Sequence, residues 1–214
     1  MRLTLAGVRR ALIVAPHPDD EIIGAAGLIA RLKAQGARVA VIVVSDGGAS
    51  HPGSATWPRA RLIAERRRES LRALRRLRVT TGEVRFLGLP DGGLGTTLPA
   101  CTRALRRDAL RADLIVGPAA GDGHPDHRAV AQALRRLPGA ARRLTYQVWP
   151  ARHRHDPRTR TLRIAGGQPV KRALIRVHRT QLGAIRDDPA GFAIAAHELA
   201  AFAHPLEAFV ELRR

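Results

Sequence analysis

Short apolar runs alternate with longer amphipathic segments over the first 150 residues of the chain. Residues 11–15 (ALIVA) and 39–45 (VAVIVVS) are almost uniformly apolar, which is typical of strands buried on both faces of a parallel sheet. Residues 59–78 instead place leucines on one helical face and arginines on the other. The predicted strands are residues 11–15, 39–45, 84–87, 114–117 and 144–149. The predicted helices are residues 20–35, 59–78, 99–111 and a fourth that ends near residue 137.

This order of elements predicts an α/β fold. Strands separated by helices favour right-handed βαβ crossovers and a mainly parallel sheet, in which ligands gather at the carboxyl ends of the strands. After residue 150 the pattern is less regular, with an Arg/His-rich stretch and then helical segments over residues 169–185 and 193–203. We therefore expect one domain over residues 1–214, with an α/β core in residues 1–150 and a C-terminal elaboration in residues 151–214.

The composition limits the compartment in which the protein works. The 214 residues, 45% of them hydrophobic, can bury a core, yet no apolar run approaches the roughly 20 residues that a membrane helix needs. The N-terminal segment lacks the hydrophobic centre of a signal peptide. The one cysteine, Cys101, excludes an internal disulfide and is expected to be packed and inert. These features predict a cytoplasmic protein with no membrane span.

The formal net charge of +19 raises the question of an anionic partner. Only Lys33 and Lys171 are lysines, so nearly all of the basic charge is arginine. A nucleic-acid surface would concentrate that charge and interleave it with aromatic residues. The arginines are instead spread from Arg2 to Arg214, and aromatic residues make up 3% of the chain. This pattern favours no specific nucleic-acid partner, and a non-catalytic binder of acidic polymers is kept as an alternative function.

Two histidine-containing motifs follow the first and fourth predicted strands. In PHPDDE, His17 and Asp20 are spaced i and i+3, so both side chains can reach one metal ion where a helix begins. In HPDH, the loop with His124 and His127 can supply a third ligand. Three nitrogen and oxygen ligands with a vacant fourth position are the pattern of a catalytic zinc site. Helix capping and packed histidines explain either motif alone, but not both motifs in two equivalent loops.

These motifs resemble those of the PIG-L/LmbE-like de-N-acetylase family. The most specific matches are APHPDDEIIGAAGLIARL (residues 15–32) and GHPDH (residues 123–127). Further matches along most of the chain are VVSDG (43–47), the RxxE of Arg66 and Glu69, FLGLPDG (86–92) and HRTQ (178–181). The resemblance implies a Rossmann-like three-layer fold with the metal site at the carboxyl ends of the strands. It also implies a bound zinc ion and hydrolysis of N-acetyl groups on glucosamine-containing substrates.

By position, the resemblance makes His17, Asp20 and His127 the ligands of Zn²⁺ and Asp19 the general base. A zinc site lowers the pKa of bound water towards ~7 and polarises the amide carbonyl. A free carboxylate beside the metal can take the proton of the water and later pass it to the leaving amine. The expected partner is a small-molecule N-acyl sugar or glycoconjugate, cleaved at its linear amide bond.

The resemblance also makes His124 the residue that faces the developing oxyanion, with Asp126 orienting it, and Arg66 and Asp91 the contacts to the sugar. A protonated imidazole aimed at the tetrahedral oxygen stabilises charge as it forms. Simpler interpretations exist for some of these residues. Arg66 belongs to the run ERRRE, typical of a solvated helix face, and Asp91 lies in a PDGG turn. Glu21 is expected to support the site or cap the helix.

Two stretches fall outside these motifs, residues 49–58 (ASHPGSATWP) and residues 152–167. In the family that the chain resembles, such loops surround the metal and shape the substrate pocket, so the identity of the substrate depends on them. A second enzyme function therefore stays open, that of a zinc amidase that cleaves a larger acyl group or a thiol conjugate with the same ligands.

Overall fold

The computed structural model describes residues 1–151 and 159–212 of the chain. The strands of this part are β1 (Arg10–Ala15), β2 (Arg38–Ser45), β3 (Val84–Leu89), β4 (Leu114–Pro118), β5 (Arg142–Tyr146), β6 (Thr159–Arg163) and β7 (Leu206–Glu211). Its α-helices are α1 (Asp20–Ala34), α2 (Arg59–Arg76), α3 (Leu98–Ala109), α4 (Pro125–Arg135), α5 (Gly167–Ile175) and α6 (Ala196–Phe202). None of these helices is long and apolar enough to cross a bilayer.

The described strands form one sheet in the order β3-β2-β1-β4-β5-β7-β6. The β1–β2, β2–β3, β1–β4 and β4–β5 pairings are parallel, and β7 pairs antiparallel with β5 and β6. The prediction of an α/β fold with a mainly parallel sheet is therefore confirmed. The strand order reverses between β1 and β4, so the loops after these two strands open side by side at the carboxyl edge, where open α/β sheets bind ligands.

Helices cover both faces of the sheet and make three layers. Alternate residues of β1 enter different cores: Ile13 packs with α1, α2 and α5, whereas Leu12 and Val14 pack with α3 and α4. Successive side chains of a strand point to opposite faces, so a strand covered on both faces is apolar at every position. Residues 11–15 form a continuous apolar run because both faces of this strand are covered.

The chain after residue 150 departs from the predictions made for it. Strands β6 and β7 form at one edge of the sheet, where the sequence pattern predicts no strand. The helix predicted over residues 169–185 ends at Ile175. Residues Arg179–Gln181 form a separate 3-10 turn, in which the backbone N–H and the hydroxyl of Thr180 bind the carboxylate of Glu69, at 3.0 and 2.6 Å.

Strand β5 ends at Tyr146, before the predicted end at residue 149. The N–H groups of Val148 and Trp149 bind the carboxylate of Asp122, at 2.7 and 3.1 Å, instead of a neighbouring strand. This contact draws the end of β5 against the loop that follows β4.

Helix α1 is interrupted at Ala25, where φ is −146° and ψ is 17°. The interruption frees the backbone N–H groups of Gly27 and Leu28, which donate to the two carboxylate oxygens of Glu207 at 2.8 and 2.9 Å. Lys171 forms an ion pair with this carboxylate, and both side chains are buried. Residues from the C-terminal part of the chain therefore help to set the direction of the helix that begins at the first histidine motif.

Candidate active site

Three motif side chains converge at the carboxyl edge between β1 and β4. His17 lies in the turn after β1, Asp20 begins α1, and His127 lies in the first turn of α4. Asp20 Oδ2 is 3.2 Å from His17 Nδ1 and 3.1 Å from His127 Nε2, and these two nitrogens are 3.3 Å apart. All three residues are buried, with at most 8% of their surface exposed. We call the three atoms His17 Nδ1, Asp20 Oδ2 and His127 Nε2 the ligand triangle.

The ligand triangle has the dimensions of a metal site. Tetrahedral zinc ligands at about 2.0–2.1 Å from the ion lie roughly 3.3 Å from one another, close to the observed separations. Within the described residues, two further groups include His17, namely His17–His124–His127 and His17–Asp91–Asp126, and in each the ligand atoms lie within 4.8 Å of one another. The described residues therefore hold a His/Asp cluster that fits a divalent cation.

The second ring nitrogen of each triangle histidine faces a carboxylate. His17 Nε2 lies 3.1 Å from Asp91 Oδ1 and 3.3 Å from Asp126 Oδ2. His127 Nδ1 lies 3.3 Å from Asp122 Oδ1. A carboxylate in this position keeps the proton on the nitrogen that faces it and leaves the lone pair of the other nitrogen for a metal. Both imidazoles are therefore oriented for binding through the atoms of the ligand triangle.

The charges of the cluster favour a bound cation. Burial lowers the pKa of His127, but the carboxylates of Asp20 and Asp122 outweigh it and raise that pKa to about 9. Burial raises the pKa of Asp20, but His127 and His17 hold it well below its usual range. A site that keeps protons on its imidazoles and removes them from its carboxylate is one that stabilises positive charge.

Asp19 places a further carboxylate beside the ligand triangle. Its backbone has φ of 153° and ψ of −27°, a conformation that L-residues rarely adopt. Its N–H donates to Glu21 Oε2 at 3.0 Å, and Arg66 Nη2 donates to its Oδ2 at 3.1 Å. Burial raises the pKa of Asp19 to about 7, although the charge of Arg66 opposes the shift.

Arg66 is 3% exposed and does not belong to a solvated helix face. Its Nη1 donates to the carbonyl of Gly47 at 2.9 Å and its Nη2 to that of Pro18 at 3.2 Å, so it ties together the loops after β1 and β2. Gly47 has φ of 70°, and a Cβ there would lie 2.9 Å from Pro18 Cδ and 3.0 Å from Arg66 Nη1. This loop contact therefore requires glycine. The sugar contact of Arg66 stays a prediction.

His124 is half-buried next to the ligand triangle. Its ring centroid lies 4.7 Å from that of His17 and 5.0 Å from that of His127. Its Nδ1 accepts a hydrogen bond from the backbone N–H of Asp126 at 3.2 Å. An accepting Nδ1 places the proton of the neutral ring on Nε2.

The carboxylate of Asp126 binds backbone groups and His17, and its own backbone N–H contacts His124, so the role of Asp126 in orienting His124 stays a prediction. Asp126 lies in the first turn of α4 and its side chain crosses to the loop after β3, where its two oxygens accept from the N–H groups of Gly92 and Leu94 at 2.8 and 3.0 Å. It also faces His17 Nε2. Asp126 therefore orients His17 by its side chain, and contacts His124 through its backbone.

Asp91 does more than form a turn. Its Oδ2 accepts from the N–H of Ala49 at 2.9 Å and lies 4.0 Å from Arg66 Nη1, while its Oδ1 faces His17. The residue therefore joins the loops after β1, β2 and β3 at the rim of the cluster.

Asp122 and Glu69 have roles in the structure that sequence reasoning does not assign. Asp122 lies two residues before His124 in GDGHPDH, and that proximity to a candidate site is the signal that could have singled it out. Glu69 of the RxxE motif binds Thr180, and the side-chain amide of Gln181 donates to Ser50 Oγ at 3.3 Å. The RxxE and HRTQ motifs therefore link α2 to the loop after β2.

Of the two stretches predicted to shape a pocket, the structure describes the first completely and the second in part. Residues 49–58 are described, and Gly53 in this loop donates its N–H to Asp188 Oδ2 at 2.9 Å, so the loop is tied to the C-terminal part of the chain. Residues 152–158 of the other stretch lie outside the described residues. The remainder of that stretch forms β6 and the approach to α5.

The fold and the cluster define an α/β protein with a candidate divalent-metal site where the strand order reverses. The chain belongs to the PIG-L family, because the family model described as GlcNAc-PI de-N-acetylase matches residues 12–137. The matched region includes both histidine motifs and every residue of the ligand triangle.

Relatives of known activity cover part of the same region. The 2'-N-acetylparomamine deacetylase of Streptomyces fradiae is 33% identical over 179 residues, which are 74% of this chain and 64% of that protein. The 1D-myo-inositol 2-acetamido-2-deoxy-alpha-D-glucopyranoside deacetylase of Nocardia farcinica is 34% identical over 143 residues, 54% of this chain and 47% of that protein. The chain thus spans about half to two thirds of the length of these curated relatives.

A solved structure extends the likeness to the whole fold. The N,N'-diacetylchitobiose deacetylase from Pyrococcus horikoshii superimposes with a TM-score of 0.68 over 96% of this chain and 84% of its own. Its sequence identity is 21%, so this comparison bears on the fold.

Proposed function

We propose that this chain is a metal-dependent amide hydrolase that removes the N-acetyl group from an N-acetylglucosamine-type sugar. The observation that carries the proposal is the ligand triangle of His17, Asp20 and His127 with the carboxylate of Asp19 beside it. Membership of the PIG-L family and the deacetylase activity of the two curated relatives support the same class of reaction.

The proposed cation is Zn²⁺, held by His17 Nδ1, Asp20 Oδ2 and His127 Nε2. Two imidazoles and one carboxylate with an open fourth position form the donor set of catalytic zinc in other hydrolases. When bound, the ion supplies a Lewis acid that makes water more acidic and the amide carbonyl more electrophilic.

Asp19 is proposed to move the proton. Arg66 binds its Oδ2, so Oδ1 is the oxygen available to receive a proton from the attacking water. The same carboxyl group then donates that proton to the nitrogen of the leaving amine as the C–N bond breaks. The contacts from Glu21 and Arg66 fix the position of the carboxylate before substrate arrives.

His124 is proposed to stabilise charge on the amide oxygen. Burial and the neighbouring imidazoles of His17 and His127 lower its pKa. This shift favours a neutral ring that donates from Nε2–H over the imidazolium predicted from the sequence. A donor held in place inside a buried site stabilises the developing oxyanion without a cost of reorientation.

Asp91 is proposed as the direct contact to the sugar, with Arg66 behind it. Asp91 is half-buried at the rim of the cluster, and a carboxylate there can accept hydrogen bonds from sugar hydroxyls. Arg66 is more deeply buried and holds Asp19 and the loop backbone, so it acts on the substrate through its neighbours.

The test is hydrolysis by the full chain loaded with one equivalent of zinc, on a panel of N-acetylglucosamine-type sugars. Released acetate and free amine are measured separately and should appear in equal amounts. The variant Asp20→Asn, which keeps the size of the side chain but loses a charged ligand, is the matched control and should be inactive. The same sugars with longer acyl chains test the alternative of an amidase for larger acyl groups. Zinc-loaded protein that releases no amine from any member would contradict the proposal.

A further inference from the structure

Asp122 makes four contacts to the cluster and its surroundings. It is 1% exposed and lies in the turn after β4. Its Oδ2 accepts from the N–H groups of Val148 and Trp149 at 2.7 and 3.1 Å. Its Oδ1 accepts from the N–H of His124 at 3.0 Å and lies 3.3 Å from His127 Nδ1. One carboxylate thus touches the end of β5 and both histidines of the second motif.

We propose that Asp122 is a positioning residue that makes His127 bind the cation through Nε2. The inference rests on the proposed metal site. A carboxylate opposite Nδ1 stabilises the proton on Nδ1 and so leaves the lone pair on Nε2, the atom of the ligand triangle. In this structure His127 Nδ1 is buried and lies 3.3 Å from Asp122 Oδ1 without forming a hydrogen bond, so the contact between the two groups is electrostatic.

The arrangement requires a carboxylate because donors approach from two sides. Two backbone N–H groups donate to Oδ2 and a third donates to Oδ1, which also lies 3.3 Å from His127 Nδ1. In Asp122→Asn the amide has one oxygen for both sides. If that oxygen serves the end of β5, the new NH₂ group faces His127 and favours the tautomer with the proton on Nε2, which cannot bind a metal there. If the amide turns around, the NH₂ group opposes the N–H groups of Val148 and Trp149.

The test compares zinc affinity in wild type, Asp122→Asn and a control variant, by competition with a chromophoric chelator at neutral pH. The control is Asp113→Asn, because Asp113 lies at the opposite end of β4 and its carboxylate also binds two backbone N–H groups, those of Arg9 and Arg10, each at 2.9 Å. We expect Asp122→Asn to bind zinc about 10- to 100-fold more weakly, the usual effect of losing such a partner, and Asp113→Asn to match wild type.

A spectroscopic measurement separates positioning from general loosening of the loop. The ¹⁵N spectrum of histidine-labelled, zinc-loaded wild type should show His127 bound through Nε2 with its proton on Nδ1. In Asp122→Asn that signature should weaken, while thermal unfolding shows that the variant is folded. If Asp122→Asn binds zinc as tightly as Asp113→Asn and its His127 signature is unchanged, the inference about Asp122 fails while the proposed function stands. A wild type that binds no zinc would overturn the proposed function as well.

Discussion

Asp19 and Asp20 are neighbours in the chain, yet the structure places them in different surroundings. Asp20 Oδ2 lies in the ligand triangle, whereas Asp19 turns to Arg66 through a backbone conformation with φ of 153°. Such a conformation costs on the order of 1–3 kcal/mol and persists where surrounding contacts hold it. Here the contacts come from Glu21 and Arg66, so the strain separates a proposed ligand from a proposed base.

The separation predicts different effects for the two aspartates. Asp19→Asn should leave zinc affinity within about twofold of wild type, because Asp19 is not in the ligand triangle. It should lower kcat by ~10²-fold or more, the usual contribution of a positioned acid or base. The measurements are zinc titration and steady-state kinetics on the same preparation. Loss of zinc uptake in Asp19→Asn would mean that the roles of Asp19 and Asp20 are exchanged or wrong.

Cys101 provides a prediction that does not depend on the proposed reaction. Burial raises the pKa of its thiol to about 11, so the reactive thiolate is scarce at pH 8. A thiol-reactive disulfide reagent should label no cysteine in the native protein at pH 8, and one per chain in urea. Rapid stoichiometric labelling of protein with a native circular dichroism spectrum would contradict this.

The residues that could be predicted from sequence are those whose geometry is local or follows a strand. His17 and Asp20 share one turn, and His127 follows a neighbouring strand, so strand order alone brings them together. The orientations of Asp126 and Arg66 depend on contacts between loops that are distant in the chain. Asp126 is 32 and 34 positions from the backbone groups that it binds, and no spacing rule anticipates such contacts.

At the scale of elements, the interruption of α1 depends on a buried ion pair from other parts of the chain. The Glu207 carboxylate substitutes for the helical acceptors that Gly27 and Leu28 lack, and Lys171 neutralises its charge. Removing one partner of a buried pair leaves a charge without compensation. The first turn of α1, which includes Asp20, is thus sensitive to residues near the C-terminal end of the chain.

The two lysines of the chain allow a matched comparison. Lys171→Met should lower the free energy of unfolding by ~3–5 kcal/mol, because Glu207 then lacks its cation in a buried site. Lys33→Met removes the partner of Glu83, a pair whose side chains are 17% and 26% exposed, and should cost about 0–1 kcal/mol. Urea denaturation of both variants measures the difference. Equal losses in the two variants would show that the buried Lys171–Glu207 pair matters no more to the stability of the fold than the more exposed Lys33–Glu83 pair.

The elements predicted well are those that repeat one simple pattern. Apart from Arg10, Arg38 and Ser45 at their ends, strands β1 and β2 are apolar, because both of their faces are covered. Strand β6 has the sequence TRTLR and lies at the edge of the sheet, and β7 has the sequence LEAFVE and lies between β5 and β6. The buried Glu207 of β7 is compensated by Lys171, a partner distant in the chain, so neither segment has the apolar pattern by which a buried strand is predicted.

At the scale of the whole molecule, the net charge is +19, yet the candidate site is rich in carboxylates. Carboxylates are concentrated at the carboxyl edge of the sheet: Asp19, Asp20, Asp46, Asp91, Asp122 and Asp126. A surface rich in arginine around such a site attracts polyanions without sequence preference.

We therefore expect two unrelated DNA duplexes to bind the protein with equal affinity at low salt. The affinity should fall linearly on a log–log plot, with a slope of about −0.9 for each phosphate neutralised, and be weak at physiological salt. Fluorescence anisotropy across a salt series measures both quantities. Nanomolar binding of one sequence at physiological salt, without hydrolysis of any N-acyl sugar, would favour the alternative of a non-catalytic binder.

The adjacency of β1 and β4 has a consequence for the thermodynamic stability of the folded chain. The proposed ligands His17 and His127 are 110 positions apart in the chain and follow β1 and β4. A bound ion would therefore act as a reversible cross-link between these two strands. Free ion at one hundred times its dissociation constant adds ~2.7 kcal/mol to folding, which corresponds to about 5–10 °C in Tm for a chain of this size. Chelation should reverse that gain in wild type and in Asp19→Asn, but cause no shift in Asp20→Asn. The amount of folded protein in a cell would then follow the supply of the ion.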